Sequence, residues 1–344
     1  MAVRWPSAAD DDLVTALRAF PAMPPGLDAE RLFARAELHG LADCMLDAWG
    51  AAGLTLEPRL AQELGARSVA RQLDHDAHLR MLHRIDEALA ARRIRALVLK
   101  GPLFAERFYP RPSARATSDI DLLVEEGSVP AAAEALEGLG YATATGPEEE
   151  RFRREHHHLH LSHPHALPLE LHFHAYRGFG HTLRSEPLIE RSRMVSGHEF
   201  MTLRVADPAD ELVYLAVHAS AHRFVRLAWL LDVRLLLERM TSDERELARA
   251  RADAWGYRRA LSLCALLVRE VLGVSADSLG PIEPIRGLRE SLLRAIVGEP
   301  GNPVLRSATR FVYTSALCDS WNASARYAVH ASRGHAKRLL GFEV

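Results

Sequence analysis

Asp-x-Asp occurs three times in this chain, at Asp10/Asp12, Asp74/Asp76 and Asp119/Asp121, so the spacing alone carries no chemistry. The surrounding pattern separates the copies. Asp74 and Asp76 lie in a stretch of helical period, where residues two apart do not share a face, and read as solvated surface charges. Asp10 and Asp12 fall in a mixed N-terminal stretch that reads as loose. Asp119 and Asp121 belong to the segment SDIDLLV, residues 118–124, which reads as a strand. Period two then sends both carboxylates to one face, and Ile120, Leu122 and Val124 to the other, into a core. Two parallel carboxylates repel unless a cation sits between them, and hard oxygen ligands suit Mg²⁺ or Mn²⁺. The alternative is a pair of exposed aspartates on a half-buried strand.

Two further segments bear on that choice. Lys100-Gly101-Pro102 joins a short apolar run to a helix-like one. Gly101 allows close backbone approach, Pro102 suits a first helical position, and a helix N-terminus offers free N–H groups to an anion. Lys100 adds a point charge. Without a GxxxxGK[ST] loop, the segment reads either as a phosphate site or as an ordinary strand-to-helix turn. In Leu167-Pro168-Leu169-Glu170-Leu171-His172 the leucines face one way and Glu170 and His172 the other. Glu170 is then an edge-strand charge or a third metal ligand, and His172 a neighbour that supports ligand or substrate.

Histidine is abundant, 18 residues, six of them in HHHLHLSHPH from His156 to His165. Such tracts bind borderline metals, and alternation puts His158, His160 and Ser162 on one face. No cysteine or carboxylate stands at zinc-like spacing inside the tract, which favours polar-face residues, some of them near an active site. His218 and His222 are four apart on a helix without HExxH context, which favours core or supporting roles. Asp232 lies in an apolar helix and needs a partner, a histidine or an arginine.

The elements that must position these residues follow from periodicity. Helical spacing covers 28–49 and, after Pro58, runs on to about residue 92. Residues 94–99 read as a strand, 103–109 as a helix, 118–124 as a second strand and 130–139 as a helix closed by Gly140, with a weaker strand at 141–145. Residues 158–162 and 167–172 read as a β-hairpin around His163-Pro164. Helices return at 212–240, 243–255, 258–272, 286–297 and 308–338. The expected class is α+β, with an N-terminal helical region (1–93), an α/β core (94–206) and a C-terminal helical domain (207–344).

Composition narrows the functional classes. The chain has 344 residues with 48% apolar and 26% charged, which is globular composition. A formal charge of −2 supplies no field for long nucleic acid. Three scattered cysteines, Cys44, Cys264 and Cys318, suggest no disulfide scaffold. No apolar run approaches membrane-spanning length, and the first residues lack a signal-like core. A cytoplasmic protein is expected. Lys100 and Lys337 are the only lysines among 43 basic residues, so a chemical reason for Lys100 is worth seeking.

Leu99-Lys100-Gly101, Arg115-Ala116-Thr117-Ser118-Asp119-Ile120-Asp121-Leu122-Leu123-Val124 and Glu170-Leu171-His172, in this order, resemble a bacterial nucleotidyltransferase family of the DNA polymerase β-like superfamily. The stretches 215–222 and 229–232 also look like its C-terminal part. The resemblance covers roughly 30–300 and implies a small mixed sheet flanked by helices. It further implies an NTP substrate, with Mg²⁺ (or Mn²⁺) held by Asp119 and Asp121. Glu170 would complete the site and help deprotonate the acceptor. Gly101 and its neighbours would meet the triphosphate, joined by Arg115 and Ser118. Pro102 stands where the superfamily usually has a second small residue, which removes one phosphate N–H contact. His172, His222 and Asp232 are supporting or substrate-facing candidates. The implied partners are an NTP and a small-molecule, peptide or protein acceptor, without a membrane. Against this stand a silent binding protein on the same fold and a His-rich metal-binding protein.

Overall fold

The computed structural model describes residues 7–143, 156–275, 279 and 308–329. Four helices come first: α1 (Ala8–Ala19), α2 (Ala29–Leu38), α3 (Ala42–Ala51) and the long α4 (Pro58–Ala91). Pro58 opens α4 as expected, its missing N–H costing nothing at a first helical position. The expected helix over 28–49 is two helices, parted at Gly40, whose φ is +70°. Asp10 and Asp12 are not loose. They lie in α1, capped by Ser7, and Asp10 is buried against Arg35 at 2.5 Å while Asp12 meets Arg31 at 3.0 Å.

The central sheet is built from β1 (Ala96–Val98), β2 (Ile120–Leu123), β3 (Ala142–Thr143), β4 (His158–Ser162), β5 (Leu169–His172), β8 (Arg193–Met194) and β9 (Leu203–Val205). Its order is β3-β4-β5-β2-β1-β9-β8. β2 runs parallel to β5 and antiparallel to β1, and β4–β5 is the expected antiparallel hairpin. The order is mixed, and the α+β class is as expected. Helix α5 (Pro102–Phe108) follows β1, and α6 (Val129–Glu137) follows β2. A ribbon absent from the sequence reading, β6 (His174–Gly178) with β7 (His181–Arg184), leads into α7 (Ser185–Arg191).

Alternation assigns the two faces of the sheet. Ile120, Leu122 and Val124 enter one apolar cluster with Leu82, Ile85 and Leu89 of α4 and Ala132 and Leu136 of α6. Leu97, Leu99 and Leu123 enter the other, shared with the C-terminal helices. Those helices are α8 (Pro208–Ala221), α9 (Ala228–Arg239), α10 (Ser242–Trp255) and α11 (Arg258–Leu272), followed by α12 (Ala308–Ala316). The expected single helix over 212–240 is interrupted by Arg223 and Phe224, both at positive φ, with Phe224 fully buried. No glycine or proline marks that break, so periodicity missed it. The helix expected over 286–297 lies outside the described residues, as does the end of that expected over 308–338. No helix among the described residues is long and apolar enough to cross a membrane.

Candidate active site

The second face of the sheet carries the chemistry. Parallel pairing sets Asp121 opposite Glu170, and antiparallel pairing sets Glu170 opposite His160 and His172 opposite His158. With a side-chain period of two, residues from three strands therefore converge on one patch. Asp119 stands one residue before β2, and its carboxylate still reaches the same point as that of Asp121. Lys100 Nζ donates to Asp119 Oδ1 at 3.2 Å and lies 2.7 Å from Asp121 Oδ2. Asp121 and His172 are buried, while Asp119 and Glu170 keep 28% and 21% of their side-chain surface exposed. The patch thus grades from a buried root to an open rim.

Lys100 is placed by geometry that few residues permit. β1 ends at Val98, Leu99 donates its N–H to Asp121 O at 3.1 Å, and Gly101 turns the chain at φ +84° and ψ −139°. A side chain at Gly101 would meet only ordinary contacts, so the dihedral angle itself is what asks for glycine. The turn lays Lys100 across the two aspartates. Burial opposes its charge, but Asp121 and Asp119 outweigh that and raise its pKa. Asp121 mirrors this: burial pushes its carboxyl up, yet Lys100 and His172 hold it far below the usual range.

His172 Nε2 lies 3.2 Å from Asp121 Oδ1 and 3.3 Å from Glu170 Oε2. Both neighbours are carboxylates, so Nε2 carries a proton and donates. Burial presses His172 down, but these two hydrogen bonds more than offset it and raise its pKa. Glu170 is the reverse, raised by burial and brought below its ordinary value by His172 and His158. Its other oxygen, Oε1, faces His160 Nε2 at 3.3 Å and His158 Nε2 at 3.8 Å. Burial pushes His158 down to about 4 and His157 down to about 2, so both imidazoles are neutral at physiological pH.

Helix α8 covers this face. Tyr214, His218 and His222 follow one another at four-residue spacing, so they share a helix face. The ring of His218 lies 6.0 Å from Tyr214, 4.7 Å from His222 and 5.2 Å from Trp229. Burial lowers the His218 pKa well below its ordinary value, and the Lys100 charge adds to this. Tyr214 is raised by burial and by the charges of Asp121 and Glu170. Sequence reasoning passed over Tyr214, although its spacing from His218 and His222 was the available signal.

The remaining predicted residues sit around the patch. Ser118 is exposed, its hydroxyl 3.4 Å from Asp119 Oδ1. Arg115, expected at a phosphate, is instead buried with Nε and Nη2 committed to Asp232 at 2.9 and 2.8 Å. Tyr109 donates its hydroxyl to the same carboxylate at 2.7 Å. Asp232 therefore has the arginine partner its apolar helix required, and it anchors the segment that leads to Asp119.

The donor set fits a divalent cation. Ligand atoms of Asp121, Glu170 and His172 all lie within 4.8 Å of one another. Asp119, Asp121 and Glu170 bring three carboxylates to the patch, with Lys100 and His172 against them.

A family model described as an uncharacterised nucleotidyltransferase matches residues 25–273, nearly three quarters of the chain. The chain belongs to this nucleotidyltransferase family. No curated protein matches it. The candidate site residues described above all lie inside the matched region, including the α8 face and Asp232.

Proposed function

We propose that this chain is a Mg²⁺- or Mn²⁺-dependent nucleotidyltransferase of the DNA polymerase β-like superfamily. It moves a nucleoside monophosphate from an NTP to a hydroxyl or phosphate of a small molecule, peptide or protein, with release of pyrophosphate. The observation that carries the reading is the convergence of Asp119, Asp121 and Glu170 on one sheet face with Lys100 between the aspartates.

Asp119, Asp121 and Glu170 would hold the divalent ions, which in such transfers stabilise the attacking and leaving oxygens. The chain's own groups supply the rest. Glu170 is held ionised by His172 and is partly open, so it is available to take the acceptor's proton. His172 fixes the orientation of both Asp121 and Glu170 through one shared N–H. Lys100 balances the aspartates and stands beside Gly101, where the triphosphate would approach. Ser118 reaches the same rim. Arg115 serves by holding its loop to Asp232. The near-neutral net charge agrees with an acceptor other than long nucleic acid.

The test is pyrophosphate release from each of the four NTPs with Mg²⁺ or Mn²⁺, beside an Asp119→Ala/Asp121→Ala variant, followed by mass spectrometry of the protein. Release in the parent and none in the variant is expected, and a mass increase equal to one nucleoside monophosphate would reveal self-modification. Absence of both turnover and metal-dependent NTP binding overturns the proposal.

A further inference from the structure

The histidine tract remains unused by this reading, and the sheet gives it a partner that the tract itself lacks. His160 lies directly opposite Glu170 across the β4–β5 hairpin, and His158 lies two residues away on the same face. Glu170 Oε1 is 3.3 Å from His160 Nε2 and 3.8 Å from His158 Nε2, and one ligand atom from each of the three falls within 4.8 Å of the others. Tetrahedral zinc with bonds of about 2.0–2.2 Å sets its ligand atoms roughly 3.3–3.5 Å apart. The first spacing meets that requirement, and the second comes within a small side-chain rotation of it.

We infer that His158, His160 and Glu170 form a binding site for a borderline transition-metal ion such as Zn²⁺ or Co²⁺, separate from the Asp119–Asp121 end of the patch. Two imidazoles with one carboxylate select such ions over Mg²⁺, which prefers an all-oxygen shell. The site has three protein ligands, and the His160 side chain is 60% exposed, so a fourth position faces solvent, as in open rather than structural zinc sites. Glu170 belongs to both ends of the patch through its two oxygens: Oε2 faces His172 and Oε1 faces the histidine pair. A transition-metal ion seated there thus shares one carboxylate with the proposed Mg²⁺ site, but its binding does not depend on nucleotidyl transfer.

The test uses tag-free, full-length protein without nucleotide. Co²⁺ titration followed by visible absorption is expected to show one tight equivalent with the d–d bands of a tetrahedral or five-coordinate ion, displaced by Zn²⁺. His160→Ala, at an exposed position that leaves the far-ultraviolet circular dichroism unchanged, should weaken this binding by more than about 100-fold. That exceeds the roughly 10–100-fold typical of a residue that only supports a ligand. Asp119→Asn and His157→Ala should leave it within about threefold. Absence of the bands in the parent protein overturns the site, as does unchanged binding in His160→Ala. Loss of binding in His157→Ala with retention in His160→Ala would also overturn it, by placing the ion on His157, His158 and His172 instead. All of these readouts stand whether or not NTP turnover is found.

Discussion

Lys100 and Asp121 show how far single residues were legible. The sequence marked Lys100 as one of two lysines in an arginine-rich chain and set it beside a glycine, which suggested phosphate. Its observed partners are Asp119 and Asp121, because the β1–α5 turn and the β2 strand meet across the sheet, and no local pattern announces that meeting. The same holds for Arg115 and Asp232, which are far apart in sequence and joined only by the packing of α9 against the loop before β2. An energetic prediction follows. Lys100→Met leaves the buried Asp121 with His172 as its remaining hydrogen-bond partner, and breaking a buried pair in this way costs about 3–5 kcal/mol. If the carboxylates hold a divalent ion, that ion supplies the missing charge. Millimolar Mg²⁺ or Mn²⁺ should then raise the melting temperature of Lys100→Met more than that of the parent. An equal response of the two proteins would argue against a cation at this end of the patch. Asp232→Asn should cost stability of similar size, because it weakens the anchor of Arg115 and Tyr109 together. Thermal denaturation with an Asp119→Asn control separates that loss from any effect on the metal ligands.

At the scale of elements, periodicity served well where an element is long or strictly alternating. The bounds of α4, α11 and the β4–β5 hairpin agree with expectation to within a few residues. It failed where the chain reverses without glycine or proline, as at Arg223-Phe224, and at the short strands β8 and β9 at one end of the sheet. Such strands depend on tertiary partners, and Asp86 of α4 is the partner that positions β9. Its Oδ2 accepts from Met201 N at 2.6 Å, and its Oδ1 accepts from Thr202 N and Leu203 N, each at 2.8 Å. Burial raises the Asp86 pKa, but these hydrogen bonds dominate and lower it. A lowered folded pKa gives stability that is present above the unfolded value of about 3.9 and is lost as pH falls through the folded one. Both oxygens accept, so Asp86→Asn must turn its amide N–H₂ toward a backbone N–H. The expected loss is about 2–3 kcal/mol at pH 7. The gap between parent and variant should narrow as the pH falls below about 4, measured by urea denaturation across that range. A gap independent of pH would mean that the charge of Asp86 is not what holds β9.

At the scale of the whole molecule, the order helices, sheet, helices was readable along the chain, but its closure in space was not. Leu13, Leu17, Leu32 and Phe33 from the first helices share one apolar cluster with Leu212, Leu231, Leu263 and Leu267 from the last ones. Polar contacts reinforce the joint: Arg234 of α9 donates to Leu17 O and Phe20 O, each at 2.6 Å, and Arg18 of α1 donates to Val271 O at 3.0 Å. Hydrophobic periodicity shows that each helix has a face to bury, but it does not say against which other helix, since leucine recognises no particular partner. This cluster also contains Leu97, Leu99 and Leu123 from the site-bearing face of the sheet. The N-terminal helices, the helix α8 and the strands β1 and β2, the latter carrying Asp121, are therefore one packed body rather than neighbours on a string. Leu17→Ala removes a fully buried side chain remote from the carboxylates and should cost about 2–5 kcal/mol. In hydrogen exchange under native conditions, the slowest amides of α1 and of β5 should lose protection by the same amount, because both exchange through the same global opening. Loss of protection in α1 alone, with β5 unchanged, would show instead that the N-terminal helices open independently of the site.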